Sequence, residues 1–279
     1  LMDARTGKCL RAVLPVHLYG LMADMPAFMK IKEKHGVDII EDAAQAQGAT
    51  ARMNGKRCQA GSIGDAGCLS FYPSKNLGGA GDGGMILSSR RDVFDNAKRL
   101  HVHGSGERYY HTDFGYNSRL DSFQAAALLV KLSRLDEWLK MRVENARAYN
   151  EAIKEKLSAA GVPVVFSDEV SPDGARNPEA VVPPATPDGF FHTFNTYEIR
   201  VTDRDAVSKA LLERGIGNAI YYPLPLHLQS VFSFLGYSAG DFPVTETVCS
   251  DIIALPQYPE LPRAAVEYVA ENLAEILKR

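Results

Sequence analysis

Between Ala12 and Ile40 the sequence spells out a strand, a helix and a second strand, and no other stretch limits the fold as much. Ala12 to His17 reads as a strand, Met22 to His35 as a helix ended by Gly36, and Val37 to Ile40 as a buried strand. A helix linking two such strands implies parallel pairing through a right-handed crossover. The expected class is therefore α/β. Glu41 and Asp42 stand at the carboxyl end of the second strand, where open sheets of this kind receive their ligands.

A second segment bears on the same end of the sheet. Ala66 to Phe71 reads as a short buried strand, the chain turns at Pro73, and Lys75 follows, ahead of the glycine-dense run Gly78–Gly84. A lysine after a turn is by itself most often a surface residue. One held just off a buried strand has its ammonium desolvated, which lowers its pKa and fits it for Schiff-base chemistry. Asp42 and Lys75 would converge from two strands of one sheet. A pyridoxal 5′-phosphate site needs that pair, a lysine for the aldehyde and a carboxylate for the pyridine nitrogen.

Four segments in order carry a resemblance: Glu41–Ala49 (EDAAQAQGA), Ser70–Gly78 (SFYPSKNLG), Gly81–Gly84 (GDGG) and Gly115–Asp121 (GYNSRLD). Val13–Gly20 and Tyr222–His227 extend it toward both ends of the chain. Together they resemble the DegT/DnrJ/StrS-type sugar aminotransferases, pyridoxal-phosphate enzymes of fold type I. The resemblance implies a largely parallel mixed sheet between helices and a smaller C-terminal α+β domain. Such proteins carry roughly a hundred residues ahead of the position of Leu1, including backbone amides for the cofactor phosphate, so the chain is expected to be a fragment.

The resemblance also implies roles. Lys75 matches the Schiff-base lysine and proton carrier, and Asp42 the partner of the pyridinium nitrogen. Gln45 would bond the phenolic oxygen, and Ala43 or Ala44 would let the ring lie flat. Ser70 matches a phosphate ligand, and Asn117 a residue reaching the phosphate of the neighbouring subunit, which implies a homodimer with shared active sites. Arg119, Tyr221, Tyr222 and His227 are candidate substrate contacts. Bland readings stand beside these: an N-cap for Asp42, a backbone-bonded hydroxyl for Ser70, a turn for Asn117, an ion pair with Asp121 for Arg119, and packing for the tyrosines. Where many relatives carry a histidine this chain has Gln47, so no role is assigned to it.

The implied reaction moves an amino group, expected from glutamate, onto a keto sugar of a nucleotide-diphosphate sugar, with a 3-keto substrate favoured over a 4-keto one. A cyclitol or aminobenzoate aminotransferase, or a non-catalytic regulator or binding module that kept the fold, remain alternatives. A dinucleotide-binding reading of Gly79–Gly84 is weaker, because that run precedes a strand and does not join strand to helix.

The rest of the chain is expected to hold strands at Gly84–Ser88, Val162–Phe166, Thr193–Val201, Ile216–Tyr222 and Ile252–Leu255. Helices are expected from Arg91 to His101, from Asp203 to Arg214 and from Arg263 to Leu277, with one long helix over about 122–157 bridging domains 1–135 and 136–279. Gly104–Gly115 and Ser167–Gly189 read as long loops. A net charge of −3, with lysine and arginine scattered, gives no reason to expect nucleic acid or an anionic membrane. Cys9, Cys58, Cys68 and Cys249 lack metal-ligand spacing, and the histidines add none, so no metal is expected. With no apolar span or signal pattern, a cytoplasmic protein with reduced thiols is the default.

Overall fold

The computed structural model describes residues 1, 2, 7–170 and 177–278. It divides into two compact units, Leu1–Lys140 with Asp188–Asn195, and Met141–Pro187 with Thr196–Arg279.

The first unit opens with β1 (Ala12–Val13), α1 (Met25–His35) and β2 (Asp38–Asp42). The helix starts later than Met22 because Asp24 Oδ1 accepts the Ala27 N–H at 3.1 Å and Pro26 fills the first turn. It stops at Gly36, which takes the left-handed conformation and donates its N–H to the Lys32 carbonyl. A hairpin of β3 (Thr50–Met53) and β4 (Lys56–Gln59) comes next. The sequence reading missed it, although Asn54 and Gly55 both have positive φ, as a two-residue hairpin turn requires.

Next come β5 (Ala66–Ser70), β6 (Gly84–Leu87) and α2 (Arg91–Leu100). The main sheet has the order β1-β2-β5-β6, with β1, β2 and β5 parallel and β6 antiparallel to β5. Its core gathers Met22, Met25, Val37, Ile39, Ala43 and Ala46. Burying these side chains supplies the drive for the unit at roughly 25 cal/mol per Å² of apolar surface.

The expected loop at Gly104–Gly115 contains a small hairpin, β7 (Ser105–Glu107) with β8 (Tyr110–His111). The expected long bridging helix is two helices, α3 (Ser122–Leu132) and α4 (Leu135–Ala159). Ser133 ends the first, its hydroxyl turning back onto the Val130 carbonyl at 2.8 Å. The division between the units falls inside α4, after Lys140. Residues 188–195 return to the first unit because β9 (Phe190–Phe191) pairs with β3.

In the second unit, β10 (Tyr197–Arg200) leads to α5 (Arg204–Glu213), α6 (Pro243–Asp251), β11 (Ile252–Leu255) and α7 (Arg263–Leu277). β10 and β11 are antiparallel. Tyr149 stacks on Tyr197 with ring centroids 4.6 Å apart, and their hydroxyls reach the Pro256 carbonyl and Asn150. Asp203 stands at the start of α5 without capping it through its side chain.

Two expected strands shrink to single bridges, Val164 with Val181 and Ala219 with Ala254. Pro163 lacks an N–H for a ladder, and Gly217 weakens the other segment. Of the expected Ser167–Gly189 loop, residues 171–176 lie outside those described; Ser167–Glu169 forms a short 3₁₀ turn. Among the described residues no helix is long and apolar enough to cross a membrane.

Candidate active site

The site is built on the carboxyl ends of β2 and β5. Alternation along β2 sends Ile39 and Glu41 to one face of the sheet and Ile40 and Asp42 to the other. Strand pairing sets Val16 beside Asp42, Asp42 beside Cys68, and Cys68 beside Ile86. These four residues therefore form one transverse row on a single face, the front of the sheet. Ser70 lies two residues beyond Cys68 on that face, so its Cα and that of Asp42 are roughly 8 Å apart by the usual strand spacings.

Glu41, on the back, is fully buried, and four donors surround its carboxylate. Gly61 N and His17 Nε2 reach Oε2 at 3.0 and 2.9 Å, and Ile63 N and Gly64 N reach Oε1, each at 2.6 Å. The loop comes this close because the residue paired with Glu41 is Gly67, where a Cβ would overlap the backbone of Gly61. His17 is equally buried, and its Nδ1 accepts the Ala23 N–H at 3.2 Å, so Nε2 is the protonated nitrogen and donates to Glu41. Burial raises the Glu41 pKa, but the bonds from His17, Gly64, Ile63 and Gly61 outweigh it and hold the group below the ordinary carboxylate value. The sequence reading assigned neither His17 nor Glu41 a part. The only signal was the Glu-Asp doublet at a strand end, where alternation must send one carboxylate behind the sheet.

On the front, Asp42 Oδ1 accepts the Ala44 N–H at 3.0 Å, and the main chain of Asp42 is tied to Pro15 and His17. Cys68, exposed beside it, has its thiol pKa raised by partial burial and then by the Asp42 carboxylate. Lys75 follows the turn after β5, its N–H bonded to the Tyr72 carbonyl at 2.9 Å. Burial lowers its ammonium pKa below the ordinary lysine value, against an opposing pull from Asp42. Asp42 and Lys75 are thus within electrostatic reach of each other.

Ser70 Oγ accepts the Tyr72 N–H at 3.2 Å, which leaves its own proton to donate elsewhere. Gln45 Oε1 accepts the Tyr19 N–H at 2.7 Å, which fixes the orientation of its amide. Gln47, unassigned from sequence, donates through Nε2 to the Ser70 carbonyl. Asn117 pairs with Val102 as a bridge and is exposed. Its Oδ1 accepts from Arg119 Nε at 3.2 Å, so Arg119 turns to Asn117 and not to Asp121.

Tyr221, Tyr222 and His227 belong to the second unit. The tyrosine rings lie 5.6 Å apart and are partly exposed. His227 is packed edge-on against Phe242, with Nε2 2.9 Å from Glu246 Oε1, so it fastens its own segment.

The donor set suits the pyridoxal phosphate that the resemblance implies. It offers an amine with a lowered pKa, a carboxylate on the same face and a hydroxyl one strand across. The two segments that carry them also hold buried amide atoms with no protein partner, Gln47 Oε1 and both side-chain polar atoms of Asn76. Such atoms are costly without a polar neighbour.

The chain is similar to known proteins. A profile of the DegT/DnrJ/EryC1/StrS aminotransferase family matches residues 2–274. The chain is 42% identical over 277 residues to the pleiotropic regulatory protein of Geobacillus stearothermophilus, covering 99% of this chain and 68% of that one. It is 40% identical over 267 residues to the UDP-N-acetyl-3-dehydro-alpha-D-glucosamine 3-aminotransferase of Acidithiobacillus ferrooxidans, covering 96% and 64%. Among solved structures, S. venezuelae DesV in complex with a ketimine intermediate superposes with a TM-score of 0.82 at 34% identity, covering 96% of this chain and 66% of that one. The chain spans about two thirds of the length of these relatives.

Proposed function

The chain belongs to the DegT/DnrJ/EryC1/StrS aminotransferase family, and from that premise we propose that it is a pyridoxal-phosphate-dependent aminotransferase of nucleotide sugars. It takes the amino group from glutamate and delivers it to a keto sugar carried on a nucleoside diphosphate, with a 3-keto substrate favoured. The observation that carries this reading is the charge of Asp42, at the end of β2, acting on a partly desolvated Lys75. The 3-aminotransferase of A. ferrooxidans, at 40% identity, supports the choice of a 3-keto sugar.

The cofactor, when bound, supplies the electron sink that lets a carbon next to nitrogen lose its proton. The residues of the chain do the rest. Lys75 Nζ, its pKa lowered by desolvation, would hold the cofactor's aldehyde and would carry the proton between the two carbons. Asp42 would keep a proton on the pyridine nitrogen, and Ser70 would donate its hydroxyl proton to the phosphate. Gln45 would be held for the phenolic oxygen, and Ala44, partly exposed where Ala43 is buried in the core, would leave room for a flat ring. Asn117 and Arg119, linked and exposed, serve the site of a second copy in a homodimer. Tyr221 and Tyr222 would contact the sugar in the site of the partner subunit. His227, bonded to Glu246, supports their segment and is a further candidate contact for the sugar.

The test is the visible spectrum of the purified protein with added pyridoxal phosphate, beside the Lys75→Ala variant. The expected result is an absorbance band that borohydride removes, that the variant lacks and that glutamate bleaches. Silence both in this chain and in a form extended to the length of its relatives would overturn the reading. It would favour the regulatory role that the name of the G. stearothermophilus relative suggests.

A further inference from the structure

The loop that follows Lys75 is fastened to α3 at three points along one helical stripe. Gln124 Oε1 accepts the Ala80 N–H at 2.7 Å, and Lys131 Nζ donates to the Gly78 carbonyl. Between them Leu128 is buried in a cluster with Leu77 and Phe71. Positions 124, 128 and 131 recur at steps of four and three, so all three side chains leave the same face of α3. Leu77, Gly78 and Ala80 are the residues held, and Lys75 stands two positions before the first of them.

The glycines of this loop match the arrangement. A Cβ on Gly81 would sit 2.6 Å from Gln124 Nε2, and the next nearest atom is another atom of the same side-chain amide. The backbone there does not take the left-handed conformation, so alanine is strained only by that amide. A Cβ on Gly79 would likewise stand 2.9 Å from Gln124 Oε1. The loop is bare where the Gln124 side chain lies across it.

We propose that Gln124 and Lys131 are positioning residues for Lys75, holding the glycine loop against α3 so that the lysine is presented to the front of the sheet. This rests on the reading of Lys75 as the reactive amine, but the hold on the loop is a property of the protein without cofactor. Neither residue touches the reacting atoms. Each acts through the backbone of residues 78–80. Leu128 supplies apolar contact between the two polar holds, so the loop is pinned against both sliding and lifting.

The experiment is acylation of Lys75 in the cofactor-free protein across a pH series, read by mass spectrometry, with amide hydrogen exchange of the peptide spanning residues 76–82. In Gln124→Ala the loop peptide is expected to exchange roughly tenfold faster. The midpoint of Lys75 labelling should move up toward that of an ordinary lysine, so that labelling near neutral pH slows by roughly threefold. Gly81→Ala pushes the Gln124 amide aside and should reproduce both changes, and the double variant should be no worse than Gln124→Ala alone. An unchanged midpoint in Gln124→Ala would overturn the proposal, as would additive effects of the two substitutions. If Gln124→Ala fails to fold, Gly81→Ala carries the test with the same two readouts. Normal loop behaviour alongside an active Lys75→Ala enzyme would sink the aminotransferase role of Lys75 and leave the hold on the loop standing.

Discussion

Glu41 and Asp42 are neighbours on one strand, yet the two faces of the sheet treat them in opposite ways. Behind the sheet, Glu41 accepts four hydrogen bonds from His17, Gly61, Ile63 and Gly64, and every donor comes from the protein. In front, Asp42 takes one side-chain bond from the Ala44 backbone and faces an exposed thiol and a desolvated amine. The back is a closed account of donors and acceptors, which is what stability asks of a buried charge. The front keeps its polar groups under-committed, as a surface meant for a ligand must. On the proposed function, one strand end thus separates holding the fold together from doing chemistry by the alternation of its side chains alone.

The largest way to break the contrast is Glu41→Ala. It strands a buried imidazole N–H and three backbone N–H groups, and should cost about 4 kcal/mol in urea unfolding. Asp42→Asn should do the reverse, lowering turnover by roughly a hundredfold, about 2.7 kcal/mol, while the unfolding midpoint barely moves. A large stability loss from Asp42→Asn would mean the front is structural too, and the contrast would fail. His17→Phe removes one donor from Glu41 and the acceptor for Ala23, and should cost about 2 kcal/mol without changing the pH profile of activity.

The pH dependence sharpens the comparison further. Glu41 has a folded pKa below its unfolded value of about 4.3, so its contribution is complete above that value and is lost as pH falls through the folded one. Wild-type stability should therefore fall more steeply in acid than that of Glu41→Gln, measured by urea midpoints at a series of acidic pH values. The smallest effect concerns Cys68. Asp42→Asn removes the nearby charge that raises the thiol, and iodoacetamide should then alkylate Cys68 about twofold faster near neutral pH. An unchanged rate would deny that Asp42 and Cys68 share the front.

Much of the front was legible in the chain. Strand periodicity placed β2 and β5, the doublet at the end of β2 put a carboxylate at the sheet's ligand end, and the turn at Pro73 placed Lys75 after it. The terminal helix has the expected bounds, Arg263–Leu277, because a proline precedes it and apolar residues recur at helical spacing throughout. The back was not legible. Glu41 finds His17 24 residues upstream and Gly61 20 residues downstream, and no local pattern announces such partners. His227 is similar, since its commitment to Glu246 exists only once the intervening segment has folded back. The break at Ser133 escaped because apolar residues keep helical spacing across it. The Asn54-Gly55 hairpin was written in the sequence and simply overshadowed by the motifs on either side.

The transverse row Val16–Asp42–Cys68–Ile86 also determines which changes in chain length this protein tolerates. Adding or removing one residue inside β5 would exchange the faces of everything beyond it, turning Leu69 to the front and Ser70 behind the sheet. The same change in the Asn54-Gly55 turn, at the tip of a hairpin away from the row, leaves the pairing of β2 with β5 intact. Variation in length among functional versions of this chain should therefore collect at hairpin tips and be absent between Ala66 and Ser70.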